Sequence, residues 1–153
     1  MPTFQQLQSD NDLKEIIKTA FDMNLDISGD WGYTEASATL IHSTTTPIVQ
    51  LEHIFASMRA YTEMSMTLEK EARYGSINVN EKDREEHSQG SLLYHKVVYE
   101  VTAMKEEVYT DFIKEYKEKS EEAGFDMADH FQRRKEATVT REVTHWFNVS
   151  DLT

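Results

Sequence analysis

Leu92-Leu93-Tyr94-His95-Lys96-Val97-Val98-Tyr99-Glu100-Val101-Thr102-Ala103-Met104 is the stretch whose reading decides the fold. It is rich in β-branched and aromatic residues and contains neither Gly nor Pro, which suits a pleated, half-buried surface. Successive strand side chains point to opposite faces. Leu93, Val97, Tyr99, Val101 and Ala103 therefore share one face with His95, and Leu92, Tyr94, Lys96, Val98, Glu100 and Thr102 share the other. A second run, Thr138 to Val149, has the same habit. Val139, Val143, Phe147 and Val149 align with Arg141 and His145, opposite Thr138, Thr140, Glu142, Thr144 and Trp146. Both runs read as long strands with apolar material on each face.

Working outward, Gln89-Gly90-Ser91 reads as a turn, and Ile77 with Val79 suggests another strand before it. The polar stretch Asn80 to Ser91 between them fits either a long loop or a protruding hairpin with a charged tip. On the C-terminal side of Met104, Val108, Phe112, Ile113 and Tyr116 form the stripe of an amphipathic helix that ends at Gly124. Asp126, with Asp129 three residues on, caps a short helix running to about Lys135.

The N-terminal half begins with a helix. Leu13, Ile16, Ile17, Ala20 and Phe21 recur at helical spacing, with Asp10, Asn11 and Asp12 as N-cap oxygens. Leu25, Ile27, Trp31 and Tyr33 then alternate with polar residues as a strand does, with Gly29 on the apolar side as a bulge signal. Ser37 to His42 reads as a second strand. Thr46 as N-cap and Pro47 at the first helical position open a helix whose stripe is Ile48, Leu51, Ile54, Phe55, Met58 and Tyr61. This is the longest apolar face in the chain and the expected centre of the core.

The expected fold is α+β, a mostly antiparallel sheet of four to five strands covered by helices on one face. With the strand at Leu25 to Tyr33 set aside, the order is β-α-β-β-α-β, the split βαβ of ferredoxin-like folds. The N-terminal helix and strand are then additions. At 153 residues and 17.8 kDa the chain suits a single domain, residues 1–153.

Charge and composition narrow the function. Asp and Glu number 28 against 16 Lys and Arg, a net charge of -12, so nucleic acid and anionic membrane surfaces are not expected partners. There is no cysteine, which excludes disulfides, thiolate catalysis and Cys-based zinc or iron–sulfur sites. The N-terminus lacks a basic start followed by an apolar stretch, and the expected location is cytoplasmic. No glycine-rich phosphate loop and no GxSxG nucleophile motif occurs, and no cofactor is expected.

The remaining chemistry is sparse. Asp22, Asn24 and Asp26 open like a calcium loop, but Ile27 and Tyr33 stand where that loop needs Gly and Glu. The six histidines form no metal-ligand pair at local spacing, so no metal site is expected. His95, Arg141 and His145 would form a polar island on an apolar face if their strands are neighbours, a candidate ligand-binding set. Glu100 and Glu142 are candidates on the opposite face, as a carboxylate pair. Arg59 and Glu63, four residues apart on a helix, read as a surface ion pair.

Two functional readings follow. One is a homodimeric protein-interaction or regulatory module that pairs through the uncovered sheet face, with Tyr94, Val98 and Trp146 as interface candidates. The other is a small-molecule-binding protein or enzyme with a pocket between sheet and helices, lined by His95, Arg141 and His145. Partners would be a second copy, another protein or a small molecule.

Overall fold

The two strands that open the sequence reading lie side by side in the sheet. In the computed structural model, which describes residues 4–8 and 12–152, β4 (Leu92–Lys105) and β5 (Val139–Asn148) pair antiparallel. The elements before them are α1 (Leu13–Phe21), β1 (Ile27–Gly29), β2 (Thr39–Ile41), α2 (Ile48–Tyr61) and β3 (Tyr74–Gln89). Between β4 and β5 lie α3 (Glu106–Lys119) and α4 (Met127–Ala137). The sheet order is β1-β2-β5-β4-β3, antiparallel throughout except where β2 runs parallel to β5. From β2 to β5 the elements follow the expected β-α-β-β-α-β succession, with α3 and α4 together forming the connection from β4 to its antiparallel neighbour β5.

The polar stretch after Val79 is a hairpin. β3 runs unbroken to Gln89, turns at Gly90 with φ +61°, and pairs with β4 from Gln89↔Leu92 to Tyr74↔Lys105. The exposed side chains of an edge strand need no apolar pattern, because the backbone ladder carries the pairing. Charged residues along β3 also guard the open edge against pairing with another chain.

Several expected boundaries move. The first strand contracts to Ile27–Gly29, because Gly29 and Gly32 both take φ +83° and turn the chain. At Gly32 a Cβ would collide with the His145 ring, so only glycine lets this loop reach β5, where Trp146 N–H donates to Gly32 O at 2.7 Å. Asp12 caps α1 by accepting from Lys14 N, while Asp10 and Asn11 lie outside the described residues. α2 starts at Ile48 with Pro47 in the capping position and no side-chain cap. α3 stops at Lys119 rather than at Gly124, and Asp126 caps α4 by accepting from Asp129 N at 3.0 Å.

The core forms where α1 and α2 meet one face of the sheet. Leu13, Ile17, Leu51, Phe55, Met58 and Met64 pack with Val97, Tyr99, Val101 and Phe147. Phe55 is 1% exposed and stacks edge-on with Phe147 and His145, so it sits at the centre. Truncating a phenylalanine so placed costs about 3–5 kcal/mol. No residue of α3 is buried, and among described residues no helix is long and apolar enough to cross a membrane.

Candidate functional site

The helix-covered face holds His95, Arg141 and His145 together, as the strand alternation requires. Register sets His95 against Phe147 and Val97 against His145, with Arg141 further along against Val101. Each is committed to a different partner.

His95 Nδ1–H donates to Glu52 Oε2 at 2.7 Å, and Arg84 Nη1 donates to Glu52 Oε1 at 2.7 Å. Glu52 is fully buried on α2 and needs both partners. Arg84 also lies 3.3 Å from His95 Nδ1, a contact rather than a bond because that nitrogen is already donating. The hydrogen bond to Glu52 raises the His95 pKa above its ordinary value, against the lowering effect of burial.

His145 lies in a different setting. Thr39 Oγ1 gives its one proton to Asp30 O at 2.6 Å, so its 3.0 Å contact with His145 Nε2 requires that nitrogen to be the donor. Nδ1 is then a bare lone pair, buried and unpartnered. The ring stacks flat on Phe147 at 4.1 Å. Burial, helped by the nearby Arg59 charge, pushes the His145 pKa well below its ordinary value.

Arg141 Nη1 donates to Glu63 Oε1 at 3.0 Å, and the Tyr33 hydroxyl donates to Glu63 Oε2. Arg59 is not in a surface pair with Glu63. At 2% exposure its guanidinium donates to Trp31 O and Thr144 O at 3.1 and 2.8 Å and lies 4.4 Å over the Tyr33 ring. α2 runs into a π-helical turn, Thr62–Met66, which widens the helix, and both residues lie on the sheet-facing side.

A cleft of about 420 Å³ opens beside this network, lined by Gln5 to Gln8, Ile16, Trp31, Thr62, Glu63, Thr67 and Leu68. Arg141 reaches it through Glu63. Trp31 is 3% exposed and its indole N–H has no acceptor. Among the described residues no group of three His, Asp or Glu side chains is placed to hold a metal ion.

The opposite sheet face carries Tyr94, Lys96, Val98, Glu100, Thr144 and Trp146, all half-buried, along with exposed Glu142. Tyr94 and His87 both contact the Trp146 ring, at 6.4 and 5.2 Å between centroids, and Lys96 Nζ lies 5.5 Å over it. Glu100 and Glu142 are directly opposed across the strands. Their like charges are relieved by Lys82, whose Nζ lies 3.7 Å from Glu100, while Lys96 lies 3.7 Å from Glu85.

Sequence reasoning missed the α3–α4 pair as a surface. His130 is buried among Phe112, Tyr116, Phe125 and Phe131, and Glu115 bridges His130 and Arg133. Val108, Tyr116, Met127 and Phe131 remain exposed. The signal was present in the α3 stripe, but a stripe does not say what covers it. Compared with protein families, curated proteins and solved structures, the chain matches none.

Proposed function

We propose that this chain is a homodimeric interaction module that pairs through the uncovered sheet face. The observation that carries the reading is the charge order on that face. Lys96 and Trp146 lie at one level of β4 and β5, Val98 and Thr144 at the next, and the opposed Glu100 and Glu142 at the one after. A two-fold axis lying between two such faces, across the strands at Val98, sets Lys96 of one protomer over Glu100 and Glu142 of its partner. An axis along β4 would instead stack like charge on like. The two cross-protomer clusters would stand roughly 13 Å apart, four strand residues. Each would add a second cation to a carboxylate pair that Lys82 meets at Glu100 within one chain. Val98 lies at the centre of this arrangement, and Trp146 and Tyr94 flank it with aromatic side chains of the kind that dominate interface energetics.

Light scattering tests the assembly and charge exchange tests the surface. The expected mass is about twice 17.8 kDa. Trp146→Ala should weaken association by about 2 kcal/mol, near 30-fold in Kd. Lys96→Glu and the double variant Glu100→Lys, Glu142→Lys should each be monomeric, and their mixture should form a heterodimer. A wild-type monomer at high micromolar concentration removes the reading, and a mixture that stays monomeric removes this interface.

Small-molecule binding has support of its own, from a cleft lined in part by Trp31, whose indole N–H is unpartnered, and by the buried Glu63. Its polar groups would be Trp31, Glu63 and, behind them, Arg141, with His95 and His145 serving the frame. Native mass spectrometry would carry this reading if a small molecule co-purified and was lost in Glu63→Gln.

A further inference from the structure

At the edge of the sheet opposite β3, side chains from two neighbouring strands and from the C-terminal turn form a line. Asp151 Oδ2 accepts from His42 Nδ1–H at 2.6 Å, and His42 Nε2 lies 2.6 Å from Ser28 Oγ. The first contact settles the second. With Nδ1 carrying the proton for the carboxylate, neutral His42 has a bare lone pair on Nε2, so the Ser28 hydroxyl is the donor. The carboxylate thus fixes the tautomer, the imidazole is the base, and a serine hydroxyl faces it. This is the constellation of a serine nucleophile, recognised by geometry and not by sequence order.

The backbone around it is held in place. Ser28 lies in β1, paired with Leu40 of β2. His42 follows directly on β2, and its N–H donates to Asp26 O at 2.9 Å. Asp151 lies in the closing 3₁₀ turn, Ser150–Leu152, which Leu152 N–H to Val149 O helps to close. The imidazole is about one-third exposed and Ser28 is half-buried, so a substrate can approach. Asp26 and Ser43, which flank His42 through its backbone bond and its chain, border a cleft of about 280 Å³. Met23, Leu25, Leu51 and Ile54 give it apolar walls.

We propose that Ser28, His42 and Asp151 form an acyl-transfer centre that accepts activated esters. Ser28 Oγ bonds to the acyl carbon as its proton passes to His42 Nε2. The carbonyl electron pair moves onto oxygen and returns as the ester C–O bond breaks, and the leaving alcohol takes the proton from His42. Water then attacks the Ser28 acyl ester with His42 again as base, releasing the carboxylic acid and restoring the serine. A half-exposed site leaves the tetrahedral oxyanion to solvent, so the substrates are aryl esters and thioesters with good leaving groups, not amides.

The test is covalent labelling of the full chain with an alkyl fluorophosphonate, followed by peptide mass spectrometry, and a parallel assay with p-nitrophenyl acetate. The expected result is an adduct on Ser28, absent in Ser28→Ala. Adduct formation should fall at least 100-fold in His42→Gln, the low end of what a positioned base contributes, and by less in Asp151→Asn. The ester should show an initial burst of p-nitrophenol from acyl-enzyme build-up. Circular dichroism on each variant checks the fold. No adduct on Ser28, or equal labelling in His42→Gln with the fold intact, overturns the proposal.

Discussion

Two histidines on the same sheet face have pKa values shifted in opposite senses, because one meets a carboxylate and the other is wholly buried near the Arg59 charge. His145 is depressed, so its contribution is intact above the unfolded value near 6.5 and is lost as pH falls toward its folded pKa. His95 is raised, so its contribution is intact below 6.5 and is lost as pH rises through its folded pKa. Each pKa unit is about 1.4 kcal/mol. Urea midpoints between pH 7 and pH 5 should therefore fall less in His145→Gln than in wild type. For His95→Gln the deficit should be largest below pH 6.5 and shrink above it. A wild-type curve that tracks His145→Gln across this range would mean the ring is not held neutral. The sequence placed both residues on one face by strand alternation alone. It could not place their partners, since Glu52 is 43 and Thr39 is 106 positions away. Ser28, His42 and Asp151 were hidden for the same reason: the Asp151–His42 contact spans 109 positions.

At the scale of elements, legibility followed packing. α1 and β4 were plain because each buries one regular face, whereas α2 buries Glu52 and Arg59 beside its apolar stripe and leaves Tyr61 exposed. β3 was legible only at its start, where Ile77 and Val79 mark a strand, and at the Gly90 turn, because it is an edge strand whose charged residues carry no period. The helical reach to Gly124 overran the end of α3 at Lys119, and the aromatic residues of α3 pack against α4. That arrangement makes an arm on the β4–β5 hairpin, and Ala103↔Val139 pairing closes the hairpin at its base. Glu115 holds the arm together, its pKa lowered to about 2 chiefly by the Arg133 hydrogen bond. Replacing residues 107–136 by Asn-Gly should therefore leave the sheet folded. The expected cost is no more than about 2 kcal/mol, a few degrees in Tm for a chain of this size. An unfolded product by circular dichroism would show that the arm supports the sheet after all.

The whole molecule carries a net charge of -12, and pairing two copies sets that charge against itself. Two opposing effects decide how the proposed dimer responds to salt. Repulsion between the bodies acts over distances beyond the Debye length, about 8 Å at physiological ionic strength, and is readily screened. The Lys96 clusters act at contact distance between two sheets, partly out of water, and are screened less. Adding salt from 20 to 150 mM should then tighten the dimer, and salt beyond that should change its Kd little, because little repulsion is left to remove. Sedimentation equilibrium across that series measures the slope directly. A Kd that weakens steadily from the lowest salt would mean that the ion pairs outweigh the repulsion and lie in open solvent. The sheet faces would then not be in contact, and the exposed side chains of the arm would be the surface to test instead.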